Sequence, residues 1–296
     1  MTKALLLELI SACNLRCKMC PFVNLMSGLS LKRDKISEIF RDINRLNAHT
    51  GLTPFSEVRF DGNTEPLLYK KLISVIQECK QLLPSIRLNI ITNGVLLNSE
   101  ISQNLLQNNV NAVHISVTGL TGDIYKEFQG YNFEMNVCEK NLDTVKNNIN
   151  NLVQLKKKLG ANTIIEARYI ITEYSKNGFI PYLNYWHRQG VDQIYVSGLG
   201  NVALESQSKP RGKILSYKPC RRFGQIIVQA SGNVILSCCD YIMESVGNIY
   251  EQSFFDIMTS DIVQKYEKAH AELDIGNLPK ICVNCPDMHV YEEEKC

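Results

Sequence analysis

The chain has 296 residues, a formal net charge of +2, and apolar and charged residues in proportions ordinary for a folded protein. This length can bury one large core, or one core with a small additional domain, and the composition excludes extensive disorder. The nearly balanced charge gives no reason to expect nucleic-acid binding, and no apolar run reaches the length of a membrane span.

Cysteine usage indicates the cellular compartment. The sequence contains eleven cysteines, and its N-terminus shows no small-residue cleavage site of the kind that ends a signal peptide. Together these features favour a reducing compartment and metal binding over disulfides. We therefore expect a cytoplasmic protein without a nucleic-acid or membrane partner.

Predicted strands and helices alternate over the first two thirds of the chain, because apolar runs with strand character alternate with segments of helical spacing. In chain order the predicted elements are a strand at Ala4–Ile10, a helix at Lys32–Asn47, a strand at Ser56–Phe60, a helix at Pro66–Leu83, a strand at Ile86–Ile91, a helix at Glu100–Leu106, a strand at Ala112–Val117, helices at Asp123–Phe128 and Cys138–Leu159, a strand at Thr163–Ile171, a helix at Phe179–Gln189 and a strand at Gln193–Val196. Six strand–helix units predict a parallel sheet with crossover helices. An open doubly wound sheet and a partial (β/α)6 barrel both fit this order.

Three cysteines lie in one short loop directly after the first predicted strand. Cys13, Cys17 and Cys20 have the spacing CxxxCxxC. Three thiolates can hold three irons of a [4Fe–4S] cluster, which leaves the fourth iron open to a ligand that is not protein. A zinc site short of one ligand, or a chance cluster, is the alternative interpretation of a lone triplet.

Polar and turn-forming segments follow the other predicted strands where each strand ends. They are Asp61–Pro66, Thr92–Gly94, Ser116–Gly119 and Ser197–Gly200. In a barrel, the carboxyl ends of all strands meet at one mouth, which is where such folds place their chemistry. Glycine and asparagine also form ordinary turns, which would explain one or two of these sites better than the whole set. The motifs therefore favour the partial barrel.

The cysteine triplet and the strand-end motifs resemble those of the radical SAM superfamily. The resemblance implies an α/β fold, a partial (β/α)6 TIM-like barrel, in which Cys13, Cys17 and Cys20 ligate a [4Fe–4S] cluster. It also implies that the amino and carboxylate groups of S-adenosylmethionine (SAM) bind the fourth iron. The residues that the resemblance assigns to SAM binding are Met19, Gly62, Thr64, Glu65, Asn93, Ser116, Glu166 and Arg168.

Two positions depart from the pattern of this family. Thr64 replaces the second glycine of the family's Gly-Gly-Glu segment, and Met19 replaces an aromatic residue next to the adenine, although methionine can also pack on a purine. Glu166 and Arg168 alternate along the fifth strand and therefore share one face. Arg168 resembles the family's carboxylate clamp, and an ion pair between Glu166 and Arg168 inside the barrel is the alternative.

A second set of cysteines follows a predicted linker at residues 198–219, which is rich in Ser, Lys, Pro and Gly. Residues 225–236 predict a β-hairpin with a Gly-Asn turn, and Phe254–Ala271 predicts a helix. These elements bring four thiolates around one metal centre, which in isolation is a zinc ribbon at least as often as an iron–sulfur site. The four are Cys220, Cys238, Cys282 and Cys285.

This arrangement resembles the SPASM/twitch extension of radical SAM enzymes. The cysteine tail of a full SPASM domain is missing, so the resemblance implies one auxiliary [4Fe–4S] cluster in a small C-terminal β-hairpin plus helix domain. We predict a barrel at residues 1–205 and this domain at residues 206–296. The spacing after Gly232 is one residue longer than usual, which leaves Cys238 or Cys239 as the ligand, and we choose Cys238. His289 is expected on the surface rather than as a ligand.

Cys239 is the candidate catalytic residue. A thiol next to a cluster ligand could face the barrel mouth and return a hydrogen atom to a substrate radical. The alternative is that Cys239 packs in the hairpin as a small apolar side chain.

The resemblance implies an enzyme in which a reduced cluster delivers an electron to SAM, with a flavodoxin or ferredoxin-type protein as reductant. The resulting 5′-deoxyadenosyl radical takes a hydrogen atom from a substrate C–H bond. Transfer of the substrate's electron to the auxiliary cluster would make the enzyme a dehydrogenase. Return of a hydrogen atom from Cys239 would make it an epimerase.

The substrate is predicted at the level of two classes. The first is a small polyhydroxylated molecule such as a sugar, cyclitol or aminoglycoside. It is favoured because the cysteine loop begins at Cys13, which leaves no room for the N-terminal peptide-recognition domain of many peptide-modifying relatives. The second is a ribosomal peptide, matured by thioether formation or epimerisation. A non-catalytic zinc-binding module is the hypothesis from a different functional class.

Overall fold

The computed structural model describes residues 2–20, 22–49, 51–61, 64–198, 214–220, 223–237, 245–285 and 288–291. The strands are β1 Lys3–Leu7, β2 Phe55–Phe60, β3 Arg87–Thr92, β4 Ala112–Ser116, β5 Ile164–Ile171, β6 Gln193–Gly198, β7 Ile214–Tyr217, β8 Phe223–Val228, β9 Asn233–Ser237, β10 Gly247–Asn248 and β11 His289–Tyr291. The α-helices are α1 Arg33–Ala48, α2 Leu72–Leu82, α3 Ser99–Gln107, α4 Gly122–Phe128, α5 Met135–Leu159, α6 Phe179–Gln189, α7 Phe254–Met258, α8 Asp261–Glu272 and α9 Lys280–Val283.

The first six strands lie side by side in chain order, and every neighbouring pair among them is parallel. A doubly wound sheet would reverse its order at a switch point, and this sheet does not. The predicted partial (β/α)6 barrel is therefore confirmed, and the doubly wound alternative is wrong.

The two faces of the sheet differ in polarity because side chains alternate along each strand. One face carries buried apolar residues such as Leu5, Val58 and Val113, which share a core with residues of α1, α2 and α5. The opposite face is the barrel interior. It holds a small apolar group of Leu6, Ile227 and Ile235 beside β1 and several polar side chains on β2 to β6.

The predicted C-terminal hairpin forms from β8 and β9, and Gly232 at its turn has a left-handed φ of 90°. This hairpin also extends the main sheet, because β8 pairs in parallel with β1. A second sheet of two strands pairs β7 with β11, so part of the predicted linker is a strand. The domain division at residues 205 and 206 stays a prediction, and residues 199–213 lie outside the described part.

Two predicted helices are interrupted. The helix predicted at Pro66–Leu83 consists of a short 3₁₀ helix at Pro66–Leu68, capped by Glu65, and α2. The helix predicted at Phe254–Ala271 is divided into α7 and α8, because Ser260 adopts the extended backbone of an N-cap residue (φ −66°, ψ 154°). In the part of the chain that the structure describes, no helix is both long and apolar enough to cross a membrane.

Candidate active site

The cysteine loop leaves the carboxyl end of β1 and is held by polar contacts to two other strand ends. Cys13, Cys17 and Cys20 are partly buried. The Cys13 sulfur accepts from the Leu15 backbone N–H at 3.4 Å and lies 3.8 Å from the Asn93 side-chain nitrogen. Cys13 is therefore held by contacts both within its own loop and to the end of β3.

The chemistry of this sulfur set fits an iron–sulfur cluster. Burial, followed by the proximity of the Cys13 and Cys20 thiols, raises the pKa of Cys17 to about 12. Burial also raises the pKa of Cys13 and Cys20. Crowded thiols of this kind remain protonated unless a strongly cationic partner binds them, which is what a cluster provides. Within the described ranges, no three Cys, His, Asp or Glu side chains are gathered as ligands of one metal ion. A four-iron cluster instead places each thiolate on a different iron.

Glu65 joins the loops that follow β1, β2 and β3. Its backbone N–H donates to the carbonyl oxygen of Ala12 at 2.9 Å. Its carboxylate accepts from the Thr92 hydroxyl at 2.7 Å, from the Asn93 backbone N–H at 2.8 Å and from the Leu67 backbone N–H at 3.1 Å. Burial raises the pKa of this carboxyl group to about 7, although the three hydrogen bonds lower it in part. These contacts give Glu65 an architectural role, and its direct contact with SAM stays a prediction.

Asn93 connects the third strand end to the cysteine loop. Its side-chain nitrogen donates to the Asn14 side-chain oxygen at 2.8 Å, and its own side-chain oxygen accepts from the Val95 backbone N–H at 3.0 Å. The predicted Thr64 lines a cavity of about 290 Å³ beside the same loop, together with Glu8 and Ser11. The predicted Gly62 lies outside the described residues.

Gln129, which the sequence analysis missed, links the fourth strand end to the cysteine loop. Its side chain donates to the backbone oxygen of Ser116 at 2.6 Å and accepts from the Thr118 backbone N–H at 3.0 Å. Its own backbone oxygen lies 3.9 Å from the Cys17 sulfur. The predicted Ser116 is partly buried at this strand end, and Met19 is partly buried in the cysteine loop. Their contacts with SAM stay predictions.

The two predicted residues on β5, Glu166 and Arg168, form an ion pair, and His114 contacts the same carboxylate. One carboxylate oxygen of Glu166 accepts from the Arg168 Nε at 2.8 Å and contacts the His114 Nδ1 at 2.7 Å. Burial alone would raise the pKa of Glu166, but the hydrogen bonds from His114 and Arg168 lower it to about 2. The Arg168 guanidinium also lies 5.2 Å from the centre of the Tyr195 ring. The ion-pair alternative is therefore observed, and it leaves the two terminal nitrogens of Arg168 without a partner among the described residues.

A second polar group occupies the interior face of β2 and β3, and the sequence analysis also missed it. The Glu57 carboxylate accepts from the Arg59 guanidinium at 2.9 and 2.8 Å. Burial would raise the pKa of Glu57, but Arg59 and the neighbouring Asn89 side chain lower it. The Asn89 side-chain oxygen is buried and has no partner in the described part of the chain. Because Glu57 and Arg59 are partly exposed on this face, the interior is suited to a polar occupant.

The described C-terminal cysteines lie together, and they lie away from the Cys13 loop. Cys220, Cys282 and Cys285 belong to one small apolar cluster with Leu278 and Met288. Cys220 precedes the amino end of β8, whereas the Cys13 loop follows the carboxyl end of the parallel neighbour β1. The two cysteine sets are therefore at opposite ends of the strands. Cys238 and Cys239 lie outside the described residues.

The expectation that His289 is a surface residue is wrong. The side chain is buried, one ring nitrogen lies 3.0 Å from the Tyr291 hydroxyl, and the other lies 2.7 Å from the Val283 backbone oxygen. Both nitrogens thus have partners within the protein, and the ring packs against Tyr217 of β7, with 5.2 Å between the ring centres.

Comparison with protein-family models gave two matches along the chain. The first is the radical SAM superfamily, at residues 7–165, which is more than half of the chain. The second is an iron–sulfur cluster-binding domain, SPASM, at residues 220–286. A search of the curated proteins found no match.

Comparison with solved structures gave relatives of low sequence identity and similar fold. SuiB from Streptococcus suis bound to the precursor peptide SuiA has a TM-score of 0.68 and 13% identity, covering 89% of this chain and 66% of SuiB. This chain therefore spans just under two thirds of SuiB. BtrN in complex with AdoMet and 2-DOIA has a TM-score of 0.56 and 17% identity, covering 98% and 99% of the two chains. The anSMEcpe structure with bound AdoMet has a TM-score of 0.61 and 15% identity, covering 89% and 82%.

Proposed function

The chain belongs to the radical SAM superfamily, and from this premise we propose that it oxidises or epimerises a small polyhydroxylated substrate inside the barrel. The observation that carries the proposal is the polar interior face of β2 to β6. This face holds Glu57, Arg59, Asn89, His114, Glu166 and Arg168.

The cofactors of the family are SAM and [4Fe–4S] clusters, and when bound they supply a 5′-deoxyadenosyl radical that removes a hydrogen atom from a substrate C–H bond. Cys13, Cys17 and Cys20 hold the cluster. We assign SAM to the surrounding strand-end residues, which are Met19, Gly62, Thr64, Glu65, Asn93, Ser116, Glu166 and Arg168. Their closeness to the cysteine loop supports this assignment, since Glu65 and Asn93 contact the loop directly.

Arg168 is the residue that we assign to the SAM carboxylate. Glu166 occupies only the Nε of the guanidinium, which fixes the plane of the group. The two terminal nitrogens can then form the parallel pair of hydrogen bonds that suits a carboxylate. In this proposal the ion pair and the carboxylate clamp are complementary, because the first orients the second.

The polar interior supports a hydroxyl-rich substrate over an apolar one. A substrate with several hydroxyl groups can both donate to and accept from the charged groups on β2 and β5. An apolar substrate would leave these groups desolvated and without partners, which costs free energy. Sugars, cyclitols and aminoglycosides all meet this requirement.

A ribosomal-peptide maturase is the second candidate. The observation in its favour is the fold shared with SuiB in the structure bound to the precursor peptide SuiA. The fold shared with BtrN, whose structure contains 2-DOIA, supports the first candidate in the same way and covers nearly all of both chains. We give preference to the small polyhydroxylated molecule, because its hydroxyl groups match the polar interior.

We place the auxiliary [4Fe–4S] cluster on Cys220, Cys238, Cys282 and Cys285, at the end of the strands opposite the Cys13 loop. An electron acceptor at that end would make the enzyme a dehydrogenase, with the substrate between the two clusters. A hydrogen atom returned by Cys239 would make it an epimerase. A flavodoxin or ferredoxin-type protein is the proposed reductant of the SAM cluster.

The test is anaerobic reconstitution followed by reduction with SAM and a candidate cyclitol or aminoglycoside. We expect 5′-deoxyadenosine to form in a substrate-dependent manner, together with a ketone or an epimer. If 5′-deoxyadenosine forms with a short precursor peptide but with none of the polyols, the result would favour the ribosomal-peptide maturase. Binding of zinc instead of iron would contradict both the polyol candidate and the peptide candidate.

The two reaction outcomes are separated by the Cys239→Ala variant in deuterated water. Epimerisation by Cys239 predicts deuterium in the product of the parent enzyme and none in the product of the variant. Oxidation predicts a ketone in both, with no effect of the substitution.

A further inference from the structure

His114 lies inside the barrel, on the interior face of its strand. It is the third of five residues in β4, two residues before Ser116, so both side chains project from the same face. Register places it beside Glu166 on the next strand. The side chain retains 14% exposure, so the imidazole is reachable from the interior.

The state of the His114 ring is set by its partner. Glu166 is ionised, since the hydrogen bonds it accepts lower its pKa to about 2. An ionised carboxylate only accepts hydrogen bonds, so the Nδ1 of His114, at 2.7 Å, is the nitrogen that carries the proton. In the neutral ring the Nε2 then has a free lone pair, and it has no partner among the described residues.

The other ionisable groups on the interior face are poor proton acceptors. Glu166 is strongly acidic, and Arg168 beside it on β5 is a permanent cation. On β2, the Arg59 guanidinium helps to hold the pKa of Glu57 below its usual value, against the effect of burial. On β6, the Tyr195 ring packs against Arg168. Among the described ionisable groups of the interior face, His114 is therefore the one with an unoccupied nitrogen lone pair that can accept a proton.

We propose that His114, oriented by Glu166, is a catalytic base that accepts the proton of a substrate hydroxyl group during oxidation of the carbinol carbon. The inference rests on the proposed function and selects its oxidative branch. Epimerisation replaces one hydrogen atom with another and needs no base.

After the C–H hydrogen atom has left, the carbon carries one unpaired electron and its hydroxyl group. The O–H bond breaks, its proton forms a bond to His114 Nε2, and the C–O bond becomes a carbonyl double bond. The remaining electron passes to a one-electron acceptor of the iron–sulfur class. Loss of the hydroxyl proton to His114 makes this electron transfer favourable.

The experiment compares the parent enzyme with His114→Gln and with His187→Gln as a matched control. Glutamine retains hydrogen bonding but is not a base, and His187 is an exposed residue of α6. The probes are myo-inositol and 2-deoxystreptamine. The measured quantity is the number of 5′-deoxyadenosine molecules released for each ketone formed, between pH 6 and 9.

We expect a ratio near one for the parent and for His187→Gln, and a rise of about tenfold or more for His114→Gln, in line with the loss of a general base. Glu166→Gln provides the second variant. It should raise the ratio less, because the base remains but its orientation is no longer fixed. An unchanged ratio in His114→Gln would overturn the inference while leaving the proposed function in place. Absence of 5′-deoxyadenosine from the parent with both polyols would overturn the proposed function itself.

A binding measurement gives a readout apart from turnover. Equilibrium dialysis of radiolabelled myo-inositol against the reconstituted, unreduced protein measures whether His114 contacts the substrate. We expect binding to weaken several-fold in His114→Leu, which has no nitrogen to form a hydrogen bond with a substrate hydroxyl group. Binding should be unchanged in His187→Gln. Equal affinity in all three proteins would contradict a contact between His114 and the substrate.

Discussion

At the scale of single residues, charged groups in the barrel act through the partners that hold them. Glu166 uses one oxygen to fix both His114 and Arg168. The cost of burying a carboxylate is offset because two donors stabilise its charged form. The interior face of β4 and β5 therefore carries an oriented imidazole and an oriented guanidinium. The remaining nitrogens of both groups are available to ligands.

The Arg168→Lys variant tests the proposed SAM carboxylate clamp. Lysine retains the charge but cannot form two parallel hydrogen bonds, so we expect SAM binding to weaken by about tenfold, the equivalent of one good hydrogen bond. Equilibrium dialysis of labelled SAM against the reconstituted protein measures the effect. Arg188→Lys, on the outer helix α6 where the arginine is exposed, is the matched control. A change of less than twofold in Arg168→Lys would remove Arg168 from the SAM site.

Residue chemistry explains which site residues the sequence could predict. Cys13, Cys17 and Cys20 were identifiable from spacing, and Asn93 from its place after a strand. His114 and Gln129 were not identified, because their roles depend on which strands are neighbours. A polar residue inside an apolar strand was the available signal for His114. That signal was used for Glu166 and Arg168 but not for the same pattern on β2 to β4.

At the scale of elements, the boundaries of strands and helices are set by local capping and by backbone conformation. The strands were predictable because continuous apolar runs mark buried parallel strands. The breaks within the two longer predicted helices were not, since the Glu65 side-chain cap and the extended backbone of Ser260 form only in the context of the folded loops. The pairing of β8 with β1 was also missed, because parallel pairing over such a sequence distance leaves no local signal.

Gly94→Ala tests the tight turn after β3 that presents Asn93. Gly94 has a φ of 78°, and an added Cβ would lie 2.8 Å from the Ile115 side chain. Left-handed strain and this overlap together should lower the free energy of unfolding by about 3 kcal/mol. Gly51→Ala is the control, because Gly51 has a φ of 89° but nothing within 4 Å of an added Cβ. Strain alone should cost about 1 kcal/mol there, as measured by urea unfolding. An equal loss of unfolding free energy in both variants would show that the Ile115 side chain moves away from the added Cβ at no cost in stability.

Glu8→Gln tests the connection between the end of β1 and the β8–β9 turn. The Glu8 carboxylate accepts from the Ala230 backbone N–H at 3.1 Å, and burial raises its pKa to about 7. An unfolded carboxyl group titrates near 4.5, so the folded protein binds the extra proton between these two values. Stability from this group is therefore fully present below pH 4.5 and is lost as pH rises to about 7.

Glutamine keeps an oxygen for the Ala230 N–H but carries no charge. At pH 8 we expect Glu8→Gln to unfold at higher urea concentration than the parent, with a gain of up to about 3 kcal/mol, the free energy of a shift of this size. At pH 5 the difference should fall to about 1 kcal/mol, because only the unfolded carboxyl group is largely ionised there. Glu272→Gln, at an exposed position of α8, should change neither value. A gain that is equal at pH 5 and pH 8 would mean that burial of the charge is not its cause.

At the scale of the whole molecule, the two cysteine sets are located at opposite ends of parallel strands, and the polar interior lies between them. The first cysteine set follows the carboxyl end of β1. Cys220 precedes the amino end of β8, which is the parallel neighbour of β1. A substrate in the interior would thus be within reach of both ends. This geometry follows from the sheet extension, which the sequence alone did not reveal.

The number of clusters follows from the number of cysteines. Of the eleven in the chain, three form the Cys13 loop, and Cys79 and Cys138 are buried within α2 and α5, which leaves six toward the C-terminus. Two auxiliary clusters with only cysteine ligands would need eight, so one auxiliary cluster is expected and the saturated protein should hold about eight irons. Cys220→Ala should lower this by about four, whereas Cys79→Ala, the control at a core position, should retain them all. Iron and sulfide assays with Mössbauer spectroscopy measure the content. About twelve irons in the parent would require ligands other than cysteine, and zinc at the Cys220 site would remove the electron acceptor on which the oxidative reaction depends.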